Sequence, residues 1–180
     1  TEAAMETALT LLRDKKEWLN DVLIIIDPCL NPDGRDRYVN FFKQYSTVSK
    51  SSNVRSIEHQ EPWPGGRFNH YLFGLNRDWA WLTQVESQQR IKKYNQWMPH
   101  VHVDVHEQGI NENYYFPPAA EPYHEIITEW QRKFQEYIGE NHAKYFDANN
   151  WLYFSKEIFD LLYPSYGDTY PMYNGAIGMT

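Results

Sequence analysis

The unbroken apolar run Val22-Leu23-Ile24-Ile25-Ile26, bounded by Asp21 and Asp27, constrains the fold of this chain more than any other stretch. A β-branched run without polar alternation belongs in the middle of a parallel sheet, where both faces are covered, and the cover is normally helical. The residues before it supply such a helix. Ala4, Ala8, Leu11, Leu12 and Leu19 recur at helical spacing, and Arg13, Lys15 and Lys16 lie toward the end where cations suit the helix dipole. The pattern predicts a helix over roughly residues 1–19 feeding a core strand over 21–27.

Helix and strand signals continue to alternate downstream. Asn31-Pro32-Asp33-Gly34 has the composition of a turn, residues 37–45 form a short helix, and residues 46–66 are polar and aperiodic with Pro62 and Pro64. A charged amphipathic helix is predicted over 84–98 and stopped by Pro99. Val101, Val103 and Val105 then alternate with His100, His102, Asp104 and His106, the period of a strand. A long helix is predicted over 121–146 from Ile126, Ile127, Trp130, Phe134, Tyr137 and Ile138. Residues 175–180 read as a buried strand. The expected fold class is α/β: a mixed, largely parallel β-sheet flanked by helices on both faces, in one domain. Thr1 enters directly into a helix-forming series and the final strand stops without a turn, so both ends read as cut.

Composition narrows the function. A formal charge of −7 argues against nucleic acid, whose phosphates select basic surfaces. The longest apolar run is too short to cross a bilayer, and no signal peptide heads the sequence. The one cysteine, Cys29, excludes an intrachain disulfide and a thiolate zinc cluster. Aromatic residues make up 17% of the chain, with 14 Tyr and 7 Trp, a bias that suits the half-buried walls of clefts.

Three places carry chemistry. His106 ends a predicted strand, the edge of an α/β sheet where ligands bind, with Asp104 and Glu107 close enough in sequence to orient its imidazole. A polar, aromatic loop, residues 108–118, follows. Asn76-Arg77 joins an amide donor to a planar guanidinium, a pair that can grip a carboxylate. Arg67 follows the Gly65-Gly66 turn and is a second cation within reach in sequence. His100-Val101-His102 has the spacing that puts two imidazoles on one strand face, but His106 lies roughly 20 Å further along an extended strand, too far to share an ion with His100.

In this order the segments resemble the zinc carboxypeptidases of the carboxypeptidase A type, the M14 metallopeptidases. Asn31-Pro32-Asp33-Gly34 resembles that family's Asn-Pro-Asp-Gly turn. Asn76-Arg77 resembles its clamp for the substrate's terminal carboxylate, and Arg67 stands where branches of the family carry the arginine that polarises the scissile carbonyl. Val103-Asp104-Val105-His106 with Tyr115-Phe116-Pro117-Pro118 resembles the strand that delivers the last zinc ligand. Tyr163-Pro164-Ser165-Tyr166-Gly167-Asp168 resembles the tyrosine segment that closes over the substrate, with Tyr163 as the closing residue and Tyr166 or Tyr170 as alternatives.

The resemblance implies a partial catalytic domain over residues 1–180 of a zinc-dependent hydrolase acting on peptide or protein C-termini. It implies that His106 holds zinc, Asn76 and Arg77 bind the substrate carboxylate, and Arg67 and Tyr163 act in catalysis. It also exposes departures. The sequence contains no His-x-x-Glu, the family's source of its first two zinc ligands, and the catalytic glutamate would follow Thr180. Gly74-Leu75 replaces the segment where many members have an aspartate that orients the first zinc histidine. The 180 residues alone are therefore expected to bind zinc weakly or not at all and to be inactive. A catalytically inactive module that grips peptide carboxylates is the alternative, and a His-x-His metal enzyme the less favoured one. Family members are mostly exported, and some are cytosolic.

Overall fold

Asn31 begins a helix. In the computed structural model, which describes residues 2–109 and 111–180, its side chain accepts from the Gly34 N–H at 3.0 Å, and Pro32 takes the first helical position. Proline costs nothing there, because its missing N–H would have no helical partner anyway. The expected turn at 31–34 and the expected helix at 37–45 are thus one element, α2 (Pro32–Tyr45). Thr1, where the first expected helix starts, and Ile110, in the loop after His106, lie outside the described residues.

The chain divides into two compact units, Thr1–Phe73 and Gly74–Thr180. In the first, helix α1 (Glu2–Asp14) ends before Lys15, and a separate 3₁₀ turn covers Lys16–Asn20. The continuous helix expected to residue 19 is therefore broken in two. The run 21–27 is not a strand: it has no ladder partner among the described residues, and Val22, Leu23 and Ile25 are 55%, 71% and 57% exposed. Apolar patterning states a need for burial but does not supply the neighbour whose backbone would make a strand. Beyond α2, residues 46–73 are loop apart from a 3₁₀ turn at Ile57–His59, in line with the aperiodic sequence there.

The second unit is built from short parallel ladders. Strand β1 (Val101–Val103) pairs with β6 (Ile177–Met179), β2 (Tyr114–Tyr115) with β4 (Tyr153–Phe154), and β3 (Ala120–Tyr123) with β5 (Asp160–Leu161), all parallel. Helices α3 (Val85–Trp97), α4 (Glu129–Asn149) and α5 (Thr169–Tyr173) complete it. The α/β class holds; the single broader sheet does not, since the described residues form three ladders of two strands each. Strand β6 is buried throughout, as its composition predicted, and α3 stops where Met98 turns left-handed just before Pro99.

Helix α4 departs from its prediction at both its start and its face. Residues 120–123 are strand, and the helix starts after Thr128, whose hydroxyl accepts from the Gln131 N–H while the Gln131 side chain accepts from the Thr128 N–H. That reciprocal capping box is a stronger start signal than the apolar spacing upstream. The face turned inward is Gln131, Gln135 and Gly139, whereas Trp130 and Tyr137 are 59% and 50% exposed. Gln131 Nε2 donates to Met172 O at 2.9 Å and Ala176 O at 2.7 Å. Gln135 Nε2 donates to Gly178 O at 2.7 Å, and its Oε1 accepts from the Ala119 N–H at 3.2 Å. Gly139 allows the helix to meet the chain at Pro117, where a Cβ would stand 2.3 Å from the carbonyl oxygen.

Two apolar clusters fill the rest of this unit. One joins Ala119, Ile127, Leu161 and Met172 with Tyr123 against it; the other joins Trp79, Ile91 and Tyr94 with Leu82 and Tyr170 against it. Replacing Gln135 with Ala would leave a buried carbonyl and a buried N–H without partners, at about 1–3 kcal/mol each. Gln135→Ala should therefore lower the stability of this unit measurably in urea denaturation, and a midpoint equal to wild type would show that these bonds do not hold β6.

Candidate functional site

The Asn76-Arg77 pair sits on a 3₁₀ turn, Leu75–Arg77, gripped from both sides in sequence. Leu75 and Trp79 are buried at 5% and 2% exposure. Between them Asp78, also buried, accepts from the Thr83 N–H at 2.9 Å, the Thr83 hydroxyl at 2.7 Å and the Gln84 N–H at 2.9 Å. Burial pushes the Asp78 carboxyl upward, but the bonds from Thr83 and Gln84 outweigh it and hold the group below its ordinary value. The dipeptide therefore projects from a fixed base, with Asn76 half-buried and Arg77 exposed.

Strand β1 turns its valines outward and its polar residues inward: Val101, Val103 and Val105 are exposed, His102 is half-buried and Asp104 is 5% exposed. The ladder ends at Val103, so Asp104 and His106 lie just past it rather than on it. The Asp104 N–H is nevertheless tied to Met179 O at 2.8 Å. Asp104 Oδ2 lies 2.7 Å from His106 Nε2, and Asn76 Nδ2 lies 3.0 Å from the same nitrogen. One nitrogen cannot donate to a carboxylate and accept from an amide at once. The carboxylate is closer, which favours the proton on Nε2 and the lone pair on Nδ1; the Asn76 amide then packs beside that nitrogen without a hydrogen bond to it. The amide of Asn76 is oriented independently, because its Oδ1 accepts from the Gly167 N–H at 2.7 Å.

The segment around Gly167 meets the dipeptide again on either side. The Ser165 hydroxyl donates to Arg77 O at 2.9 Å and accepts from the Ala80 N–H at 2.9 Å. The Arg77 guanidinium lies over the Tyr166 ring at 4.2 Å and donates to Asn76 O at 2.7 Å. Gly167 permits a close approach of Asp104, whose Oδ2 would stand 2.2 Å from a Cβ at that position. Of the three tyrosines considered for closing the site, Tyr166 is taken up by Arg77, and Tyr170 packs against Trp79 and Tyr94 at 5.8 and 5.9 Å. Tyr163 is half-buried, its hydroxyl accepts from Trp81 Nε1 at 2.6 Å, and its ring lies 4.8 Å from Tyr166. Asn76, Arg77, His106 and Tyr163 thus share one neighbourhood of the second unit.

Arg67 belongs to the first unit, on a loop held through its backbone. One α2 face carries Gly34, Arg37 and Phe41, and Arg37 donates to Gly65 O at 2.8 Å, Phe68 O at 2.5 Å and Asn69 O at 2.6 Å. Asn31 Nδ2 adds a bond to Gly66 O at 3.2 Å, and a Cβ on Gly34 would stand 2.2 Å from that oxygen. The Arg67 side chain itself is exposed. The Asn-Pro-Asp-Gly segment is therefore the support of the Gly-Gly-Arg loop. Arg37 was missed in the sequence, although its helical spacing from Gly34 and Phe41 was the available signal.

The His-x-His pair does not form a unit. His102 is packed by the rings of Trp79 and Tyr94 at 5.2 and 5.7 Å, while His100 is exposed. Among the described residues no three of the His, Cys, Asp and Glu side chains cluster as metal ligands would. Asp168 lies buried at the end of the same segment as Gly167, bonded by the Thr180 and Thr169 hydroxyls at 2.9 and 3.1 Å. Burial raises its carboxyl above the ordinary value; the Thr180 bond opposes this and the charge of Asp104 adds to it. No protein-family model, curated protein or solved structure matches the chain.

Burial lowers the His102 imidazole from its ordinary value of 6.5, with Asp104 acting in the opposite sense and Arg90 in the same sense. A histidine depressed by folding stabilises fully above the unfolded value and loses that contribution as the pH falls below it. The stability of this unit should drop as pH is lowered through 6.5, the ordinary value. His102→Phe should remove part of that drop in thermal unfolding at a series of pH values, and an unchanged slope would show that His102 does not titrate on unfolding.

Proposed function

We propose that this chain is part of a zinc-dependent carboxypeptidase that hydrolyses the last peptide bond of peptides or proteins. One observation carries the reading: Asn76, thirty residues from His106 in sequence, contacts the imidazole that Asp104 orients, so a carboxylate-gripping pair and a ligand-type histidine stand side by side. An exposed imidazole with a carboxylate on its far nitrogen has the arrangement of a metal ligand and its outer-shell partner. His106 would supply one ligand of such a site, and among the described residues no further His, Cys, Asp or Glu side chains cluster with it to complete the set. Zinc bound there would supply a polarised water as the nucleophile.

The chain's own residues supply the positioning. Arg77 presents its exposed guanidinium to the substrate's terminal carboxylate, and the Asn76 amide adds a donor, which orients the scissile bond. Asp104 keeps the proton on Nε2 and the ring fixed. Arg67, exposed on its held loop in the first unit, keeps the part of carbonyl-polarising arginine that the resemblance to the zinc carboxypeptidases implies. Tyr163, whose hydroxyl accepts from Trp81 Nε1, is assigned the closing of the site over the substrate.

In the full-length protein, removal of metal by a chelator should abolish hydrolysis of peptides with a free C-terminus, and zinc should restore it. Arg77→Ala should raise KM for such peptides by about 10- to 100-fold, the worth of a charge-assisted bond, and leave C-amidated peptides nearly unaffected. Equal losses on both substrates would remove Arg77 from the carboxylate role. Arg67→Ala should lower kcat by about 100-fold with little change in KM; an unchanged kcat would contradict its assignment. Binding of free C-termini without hydrolysis would reduce the protein to a carboxylate-gripping module.

A further inference from the structure

The tripeptide Ser165-Tyr166-Gly167 meets the Asn76-Arg77 pair residue by residue. Ser165 holds the Arg77 backbone, the Tyr166 ring faces the Arg77 guanidinium, and the Gly167 N–H fixes the Asn76 amide. These contacts bridge 88 to 91 positions of sequence, so local propensity cannot produce them. Each acts on a different part of the pair: main chain, cation and amide. Ser165 is fully buried and also accepts from the Ala80 N–H, which locks the segment to the residues on the far side of Trp79. Gly167 admits no side chain, because Asp104 and the Trp79 indole nitrogen occupy the place of its Cβ at 2.2 and 2.9 Å.

We infer that Ser165-Tyr166-Gly167 is the positioning template of the substrate-carboxylate clamp, with Tyr166 as the residue that sets the aim of Arg77. This inference rests on the reading of Arg77 as the carboxylate-binding residue. An exposed arginine ordinarily samples many rotamers, and restricting them before the ligand arrives removes that entropy from binding. The ring face does so without competing for the guanidinium's outward N–H groups, since a stacked aromatic attracts the cation through its π-surface. The Arg77 guanidinium donates to Asn76 O through Nη1, which anchors one arm of the fork, and the Tyr166 ring lies over its centre. Tyr166 is thereby distinct from a mobile tyrosine that closes over substrate: its ring is spent on Arg77 from below and on Tyr163 from the side.

The test compares free-acid with C-amidated peptides in the full-length protein carrying Tyr166→Leu, Tyr166→Phe or Arg77→Ala, with the wild type as reference. Tyr166→Leu keeps an apolar side chain but loses the π-face; it should reduce the preference for the free acid by about 10-fold through KM, a loss in the range of a cation–aromatic contact. Tyr166→Phe should restore the preference, and Tyr166→Leu should add no further loss in the Arg77→Ala background. A general structural defect would instead lower activity on both substrates and persist in that background. If Arg77→Ala abolishes the preference and Tyr166→Leu does not, the template role is overturned while the reading of Arg77 stands. If Arg77→Ala leaves the preference intact, the reading fails and the inference with it. A readout free of activity accompanies these: the Arg77 Nε–H resonance should carry a ring-current shift in wild type and Tyr166→Phe and lose it in Tyr166→Leu, and its invariance would overturn the stacking itself.

Discussion

The buried carboxylate of Asp104 is the contact on which the arrangement of the second unit's polar residues depends. A carboxylate at 5% exposure is costly unless donors meet it, and among the described residues His106 Nε2 stands at 2.7 Å to do so. From that bond the rest follows in steps. The proton is set on Nε2, the ring is turned so that Nδ1 carries the lone pair, and Asn76 packs beside the same nitrogen. The room Asp104 takes explains why residue 167 is glycine, and that glycine's N–H is the one that orients Asn76. Asp104 also raises the carboxyl of Asp168 alongside the larger effect of burial, so two acids share one desolvated corner beside β6.

Polar side chains turned inward recur through this unit. Its ladders are two to four residues long, too short to satisfy their own surroundings by backbone bonding. Gln131 and Gln135 supply the missing partners along β6 and its approach, Asp78 does so for the turn before α3, and Ser165 does so for the turn after Asn76. Buried networks of this kind favour one geometry because any alternative leaves donors or acceptors unmatched. That selectivity is what a site built on loops requires, since loops have little regular structure to hold them.

Much of this was legible in the residues, and what was not has a common cause. Helix α3 was readable from its amphipathic pattern and Pro99, and β6 from its unbroken apolar composition. The proximity of Asp104 to His106 was readable from their spacing, and the support of the Arg67 loop was present in Asn31 and Gly34 without being evident. The run 21–27 was misread because hydrophobicity reports the demand for burial and not who meets it. The apolar spacing over 121–146 does not mark where α4 starts, which the capping box at Thr128 sets, nor its buried face, which is Gln131, Gln135 and Gly139. The contacts of Ser165-Tyr166-Gly167 are invisible for another reason: they are with atoms some ninety residues away, and two of the three are hydrogen bonds to or from backbone, which carries no sequence signature.

The state of a single ring tests this account most directly. A two-bond proton–nitrogen correlation spectrum of His106 distinguishes its tautomers, because protonated and unprotonated imidazole nitrogens resonate far apart. The expected result is an Nε2–H tautomer with an unprotonated Nδ1, held without averaging and lost in Asp104→Ala. An Nδ1–H tautomer, or rapid exchange between the two in the wild-type protein, would contradict the ordering by Asp104 and with it the case for His106 as a ligand.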